Sequence, residues 1–106
     1  PKPEQVPTLS TEKHNRSQSW GLMQVMGETA RWCAKLTDPY LTVMLDPDRG
    51  VEAGCKVLSF YLHRQKGNYQ EALSCYNAGR VCTQGLIYAA EIYSLLDSKA
   101  HLKYLK

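Results

Sequence analysis

The dipeptide Asp46-Pro47 is the feature of this sequence that most strongly constrains its fold. Aspartate is a preferred N-cap and proline fits the first turn of a helix, so the pair marks a helix start. Gly67-Asn68 supplies a typical C-terminal cap, and the pattern between the two signals predicts a helix that ends near Lys66. The predicted inward face of this helix carries Val51, Gly54, Cys55, Leu58, Tyr61 and Leu62.

The rest of the chain shows shorter helical segments separated by turn signals. Apolar residues at three- and four-residue steps predict a helix over residues 20–36, capped by Ser19, which either continues through Gly27 or divides there. Further helices are predicted over residues 69–76 and 86–96, with one or two more turns after residue 98. The sequence predicts an irregular arm or loop over residues 1–18 and a helical domain over residues 19–106. The predicted fold class is all-α, a compact domain of five to six short helices.

The composition is that of one ordinary globular domain. The chain has 106 residues, of which 43% are hydrophobic and 22% are charged. Its apolar runs are all shorter than the roughly 18–20 residues that a membrane-spanning helix needs. The 13 basic residues are scattered among 10 acidic ones, with a net charge of +3. This scatter argues against a nucleic-acid-binding module and is compatible with weak attraction to another anionic polymer.

Cysteines and histidines give no sequence signal of catalysis or metal binding. The four cysteines form no Cys-x-x-Cys pair, and we expect Cys33, Cys55 and Cys75 to be buried thiols in apolar helical surroundings. Cys82 follows a predicted helix end, and the sequence leaves open whether it pairs with Cys75. The histidines lie far apart among polar neighbours and are predicted on the surface: His14, His63 and His101.

Two segments are not fully explained by a plain helical core. The segment GLMQVM, residues 21–26, places Gln24 between apolar residues at a position expected to face inward, where it needs a polar partner or a polar cleft. The segment ALSCYNAG, residues 72–79, ends a helix with a tyrosine hydroxyl, an amide and a glycine suited to positive φ. No convincing pair of catalytic carboxylates accompanies them, because Asp46 and Asp48 are explained by capping.

Taken in order, these two segments resemble the SLT-type lytic transglycosylase domain, a lysozyme-like domain related to goose-type lysozyme. Thr29-Ala30, the Leu45-Asp46-Pro47 helix start and the segment 88–92 fit further positions of that pattern. The resemblance covers about residues 17–96, and the form SWGLMQVMG is most similar to the phage and prophage branch. It implies a lysozyme-like fold and a location in the cell envelope, as a periplasmic or secreted protein, or in a phage particle. The sequence itself shows no signal peptide.

The resemblance also implies an activity, which is cleavage of the β-1,4 bond between N-acetylmuramic acid and N-acetylglucosamine in peptidoglycan. In that family a single glutamate first protonates the leaving glycosidic oxygen. The same group then acts as a base while the muramoyl 6-hydroxyl closes on C1 and forms a 1,6-anhydro sugar. The implied partner is the peptidoglycan glycan strand, and the resemblance implies no metal or organic cofactor.

Five residues match cleft positions of the family and are the predicted substrate-binding residues. Gln24 matches the glutamine that hydrogen-bonds the saccharide, and Met23 matches the methionine of the same wall. Tyr76 matches the tyrosine that points at the catalytic carboxylate, and Asn77 matches the asparagine that fixes this helix end. Gly21, together with Gly79, would allow a close approach of the backbone. We expect Gln24, Met23, Tyr76 and Asn77 to line one groove.

The catalytic glutamate is the point at which the sequence departs from the family. Glu4 lies at a suitable distance before the GLMQ motif, but it follows a proline, lacks the usual serine after it and has no room for a preceding helix. Glu12 lies too close to the motif, and Glu28 is expected on the surface. We therefore expect the true acid upstream of Pro1, with Glu4 as the weak candidate within the chain, and little or no muralytic activity from the chain alone.

Three functions remain open from the sequence. The first is a lytic transglycosylase, and the second is a catalytically incomplete module that keeps the cleft and binds peptidoglycan or a partner chain. The third is a helical interaction domain whose motif matches are accidental.

Overall fold

A computed structural model describes residues 8–99 of the chain. The fold class is all-α, as predicted, with five α-helices and one 3₁₀ helix among these residues. The α-helices are α1 (Leu9–Arg16), α2 (Gly27–Trp32), α3 (Pro47–Arg64), α4 (Tyr69–Ala78) and α5 (Thr83–Asp97), and the 3₁₀ helix is Leu41–Leu45. Two short strands, β1 (Ser19–Trp20) and β2 (Val25–Met26), pair antiparallel. The chain divides into two units, Pro1–Phe60 and Tyr61–Lys106.

The first unit begins with a helix that the sequence did not predict. Residues 9–16 form α1, so the prediction of an irregular segment is wrong there, and residues 1–7 lie outside the described residues. The Thr8 hydroxyl caps the helix by accepting a hydrogen bond from the Thr11 amide at 3.1 Å. No residue of α1 is buried, which explains why the apolar periodicity that reveals most helices is missing here.

Residues 19–26 form a small hairpin, and the predicted helix over this segment is wrong. Ser19 pairs with Met26 and Trp20 with Val25, and residues 21–24 form the turn between them. Gly21 has φ +70, a left-handed conformation that glycine adopts without penalty and that interrupts a right-handed helix. The helical part begins at Gly27, the position at which the sequence predicted a possible division, and ends at Trp32.

The long helix α3 begins at Pro47 as predicted. The Asp46 carboxylate accepts a hydrogen bond from the Asp48 amide at 3.2 Å, which caps the helix start. The helix ends at Arg64, and Gly67 follows with φ +85. Of its predicted inward face, Gly54 is buried as predicted, whereas the predicted burial of Val51 and Cys55 is wrong because both are exposed. The buried residues are Gly50, Ala53, Gly54 and Val57.

The second unit contains α4 and α5, which pack closely against each other. A Cβ atom added to Gly85 would clash with the side chain of Ser74 and lie 2.8 Å from its Cα atom, so this contact requires glycine. Ser74 is fully buried, and Ala72, Cys75 and Ala89 form the apolar core around it. The helical turns predicted after residue 98 lie largely outside the described residues.

All four cysteines are free thiols in this structure. Cys33 and Cys75 are buried as predicted, and burial raises the pKa of the Cys75 thiol. Cys55 is exposed, which contradicts its predicted burial, because it lies beside the buried glycine and alanine face of α3 and not on it. Cys82 is partly exposed and is not bonded to Cys75. His14 and His63 are exposed as predicted, and His101 lies outside the described residues.

Candidate functional site

The turn 21–24 presents the most distinctive polar side chain of the first unit. The Gln24 side chain donates a hydrogen bond from Nε2 to the Gly21 carbonyl oxygen at 2.9 Å, and its backbone amide donates to the same oxygen at 3.2 Å. Gln24 has φ +50 and is exposed, so the expectation that it faces inward is wrong. Because Nε2 is held by the turn, Oε1 is left as the acceptor for a ligand.

The turn is fixed against the elements that follow it in the chain. A Cβ atom on Gly21 would clash with the Met44 carbonyl oxygen and lie 3.8 Å from the Gly50 Cα atom, so the predicted close backbone approach is confirmed. Met23 contacts α3 beside Gly54, where an added Cβ atom would lie 2.6 Å from the Met23 Cβ atom. These close contacts hold the backbone that carries Gln24 in one position.

The C-terminal end of α4 carries the other predicted site residues. Tyr76 is partly buried and Asn77 is exposed, both in the last turn of the helix. Gly79 caps the helix with φ +80, and its amide donates to the Cys75 carbonyl oxygen at 2.7 Å. Apart from its neighbours in the chain, no atom of residues 8–99 lies within 4 Å of an added Cβ there, so the expected close approach at Gly79 is not found among these residues and its left-handed conformation is what favours glycine.

The predicted site residues are thus divided between the two units. The structure brings Gly21, Met23 and Gln24 together in one turn of the first unit, whereas Tyr76 and Asn77 belong to α4 in the second unit. The common groove stays a prediction. Glu4 lies outside the described residues.

The first carboxylate before the turn in sequence, Glu12, is not suited to general-acid catalysis. Glu12 accepts hydrogen bonds from Arg31 Nε and Nη2, both at 3.0 Å, and from Arg16 Nε at 2.6 Å. The hydrogen bonds from Arg31, reinforced by Arg16 and opposed by partial burial, hold the pKa of Glu12 below its usual value. A general acid for glycoside cleavage needs the opposite shift, so Glu12 has a structural role.

Two other acidic residues of the first unit also lie beside arginines. The Asp38 carboxylate accepts a hydrogen bond from Arg49 Nη2 at 2.6 Å, which lowers the pKa of Asp38. The Glu28 side chain is mostly exposed and lies 3.6 Å from Arg16, as its predicted surface position requires. Among residues 8–99 no group of three or more metal-ligating side chains is close enough to hold a metal ion.

The comparison with protein families identifies the family of this domain. The family model for the transglycosylase SLT domain matches residues 8–91. The chain belongs to the transglycosylase SLT domain family. The matched segment includes α1, the turn 21–24 and the whole of α4. Comparisons with curated proteins and with solved structures gave no significant match.

Membership in the SLT domain family indicates a lytic transglycosylase-like activity on peptidoglycan. It also makes peptidoglycan the substrate class that the candidate site has to accommodate. Among the described residues, no helix is both long and apolar enough to cross a membrane.

Sequence reasoning missed two residues that organise this SLT domain. Arg31 joins α1 to the segment after α2, because it also donates hydrogen bonds to the carbonyl oxygens of Leu36 and Pro39 at 3.0 Å. Trp32 was not singled out within the predicted helix over residues 20–36, and its side chain is largely exposed. The partners of Arg31 lie up to 19 residues away in sequence, so a local sequence pattern does not predict these contacts.

Proposed function

We propose that this chain is a peptidoglycan lytic transglycosylase domain that binds the glycan strand at the turn 21–24. The observation that carries the proposal is the family match over residues 8–91, which includes this turn. The exposed Gln24, with Nε2 held by Gly21, supports the assignment because its free oxygen can accept a hydrogen bond from a sugar hydroxyl or acetamido N–H.

The proposed reaction uses one carboxyl group as acid and then as base. The acid protonates the glycosidic oxygen, the bond from C1 of N-acetylmuramic acid to that oxygen breaks, and N-acetylglucosamine leaves with a 4-hydroxyl. The muramoyl 6-hydroxyl then bonds to C1 and returns a proton to the carboxylate, so no water is consumed. The product end is a 1,6-anhydro-muramoyl sugar.

The proposed acid lies outside residues 8–99. Glu12 is ion-paired with two arginines, and its lowered pKa favours the ionised form. Glu28 is mostly exposed beside Arg16, which is not the partly desolvated environment that keeps a carboxyl group protonated. We propose that the acid lies upstream of Pro1 in a longer protein, and Glu4 is the weaker candidate that remains of the three glutamates Glu4, Glu12 and Glu28.

The test combines binding with product release from purified sacculi. We expect the 106-residue chain to sediment with sacculi and to release few or no 1,6-anhydro-muropeptides, as judged by mass spectrometry. Failure to bind sacculi would contradict the proposal. If anhydro products are released, the Glu4→Gln variant decides whether Glu4 is the acid.

A second candidate function is a peptidoglycan-binding module without catalysis. The ion pairs of Glu12 with Arg31 and Arg16 favour this second function, because that carboxylate is unsuited to protonate a leaving group. Binding to sacculi without release of products, even after the acid-bearing segment of a longer protein is restored, would identify this function.

We also propose a location in the cell envelope or in a phage particle, and kinship with goose-type lysozyme and with the phage branch. The support is the form of the SWGLMQVMG motif at residues 19–27.

A further inference from the structure

Another surface of the first unit combines an exposed aromatic ring with a charged pocket. The Trp32 side chain is 60% exposed, although an indole is among the largest apolar groups in the chain. Its ring meets the Phe60 ring edge to face, at a centroid distance of 5.7 Å. The contact with Phe60 orients the indole while most of the ring remains accessible to a ligand.

The first unit also contains a polar pocket, part of whose wall belongs to the helix that carries Phe60. Its wall consists of residues 34–38 and of residues of α3, which include the buried Ala53. Three cations line it, Lys35, Arg49 and Lys56, together with the carboxylates of Asp38 and Glu52. The pocket therefore has an excess of positive charge.

The cations of this pocket differ in how firmly they are paired. Arg49 is held by Asp38 at 2.6 Å. Lys56 lies 3.3 Å from Glu52, but both side chains are more than half exposed, and such a pair exchanges easily with a competing anion. Lys35 is exposed and forms no salt bridge with another residue of the described range 8–99. Lys35 and Lys56 are thus available to bind a carboxylate.

Lys56, which lines the pocket, and Phe60 are one helical turn apart on α3 and so share a face of that helix. This spacing places the pocket next to the aromatic pair, and we call the two together the Trp32 surface. The α3 residues of this surface lie about 120° around the helix axis from Gly50 and Gly54, which pack beside the turn 21–24. A ligand on the Trp32 surface would therefore not occupy the turn that carries Gln24.

We propose that the Trp32 surface is a second binding site for a glycopeptide, with a sugar ring stacked on Trp32 and a peptide carboxylate bound by Lys35 and Lys56. The ligand chemistry follows from the two parts of the surface, because a flat aromatic ring suits the apolar face of a sugar and a cationic pocket suits a carboxylate. The inference rests on the proposed function to the extent that peptidoglycan is a glycan substituted with acidic peptides. Such a site would hold the domain on its polymer independently of the turn 21–24.

Nuclear magnetic resonance of the ¹⁵N-labelled chain tests the proposal with three probes: a disaccharide pentapeptide muropeptide, its peptide-free disaccharide, and the free pentapeptide. The chain has 2 tryptophans, so two indole N–H signals report separately. Trp20 donates its indole N–H to the Asn15 carbonyl oxygen at 2.8 Å and directly precedes the turn 21–24, so its signal reports on that turn and not on the Trp32 surface. We expect the muropeptide to shift the Trp32 indole signal and the Lys35 amide signal.

The matched variants are Lys35→Gln and Lys66→Gln. Both lysines are exposed and both have φ +56, so each substitution places glutamine in the same left-handed backbone conformation. We expect Lys35→Gln to weaken muropeptide binding at Trp32 by about threefold to tenfold, the effect of one lost ionic or stacking contact, and Lys66→Gln to leave it unchanged. Affinity for the peptide-free disaccharide should be equal in the two variants.

Either of two results would overturn the proposal. One is a Trp32 signal that does not move at millimolar muropeptide, and the other is an equal affinity of the Lys35→Gln and Lys66→Gln variants. The Gln24 side-chain amide signal separates this inference from the proposed function. A shift at Gln24 without one at Trp32 would refute only the second site, whereas a shift at Trp32 without one at Gln24 would refute only binding at the turn 21–24.

Discussion

The Arg31 guanidinium binds both oxygens of the Glu12 carboxylate, with each N–O distance at 3.0 Å. The two side chains are only 14% and 16% exposed, although Glu12 belongs to a helix without a single buried residue. The same guanidinium also donates to backbone carbonyl oxygens of the segment after α2. Helix α1 is therefore attached to its unit mainly through hydrogen bonds and charge.

The Glu12→Gln substitution should lower the free energy of unfolding by about 2 kcal/mol, because hydrogen bonds between charged groups are lost while Arg31 stays largely buried. Urea unfolding followed by circular dichroism measures the change. The matched control is Glu52→Gln, which removes an exposed ion pair with Lys56 and should cost less than about 0.5 kcal/mol. Equal effects of the two substitutions would show that the Glu12 contacts do not stabilise the domain.

The contribution of Glu12 to stability should disappear in acid. Its pKa in the folded chain is below the usual value of 4.5, so the unfolded chain binds more protons as the pH falls, and acidification favours unfolding. The stabilisation is fully present above pH 4.5 and is lost as the pH falls through the folded-state pKa. The difference in free energy of unfolding between the native chain and the Glu12→Gln variant should therefore shrink on acidification below this value. A difference that stays constant down to about pH 2 would contradict this assignment.

Two glycines with similar backbone angles should respond differently to alanine. Gly21 has φ +70 and faces the Met44 carbonyl oxygen, so alanine there adds a steric clash to the cost of a left-handed conformation. Gly79 has φ +80, and in the described part of the chain an added Cβ there would meet no atom within 4 Å beyond its chain neighbours, so alanine should cost only about 1–2 kcal/mol. Gly21→Ala should be the more destabilising of the two in thermal unfolding, and the reverse order would refute the close packing of the turn.

The elements that could be predicted from the sequence are those specified by residues close to one another along the chain. The start of α3 was predicted because Asp46 and Pro47 specify it locally through capping and a fixed φ. Helix α1 was missed because the main partner of Glu12 is Arg31, 19 residues further along the chain. A helix was predicted in place of the hairpin because the apolar spacing of GLMQVM also fits a helix. The position of Gly21 in the hairpin depends on its contact with Met44, which a local pattern does not contain.

The same distinction holds for the candidate site. Gly21, Met23 and Gln24 were predicted as site residues from one short motif, and they do lie in one turn. The inward orientation of Gln24 was wrong because it assumed a helix, whereas the left-handed backbone of the turn directs the side chain to solvent. The exposure of Trp32 depends on how α2 ends and on its contact with Phe60, and residue spacing contains no information about either.

The buried Ser74 hydroxyl should stabilise the close packing of α4 on α5. The hydroxyl donates to the Arg80 carbonyl oxygen at 2.8 Å and accepts from the Cys82 amide at 3.1 Å, so Ser74→Ala leaves two backbone groups without this partner. We expect a loss of about 1–3 kcal/mol in the free energy of unfolding. Ser94→Ala, at an exposed position on α5, is the control and should change it by less than about 0.5 kcal/mol. A Ser74→Ala variant as stable as this control would show that the buried hydroxyl is dispensable.

A substitution at Gln24 should weaken glycan binding and have little effect on the free energy of unfolding. Asparagine tolerates the left-handed conformation at φ +50, so Gln24→Asn should change the free energy of unfolding by less than about 1 kcal/mol. Its side chain is one methylene shorter, which withdraws the amide oxygen from a bound sugar. We expect affinity for sacculi to fall about tenfold in a sedimentation assay, the equivalent of about 1.4 kcal/mol. Gln70→Asn, a change of the same size at an exposed position of α4, should leave the affinity unchanged. If Gln24→Asn binds as tightly as Gln70→Asn, the Gln24 side chain does not contact the glycan.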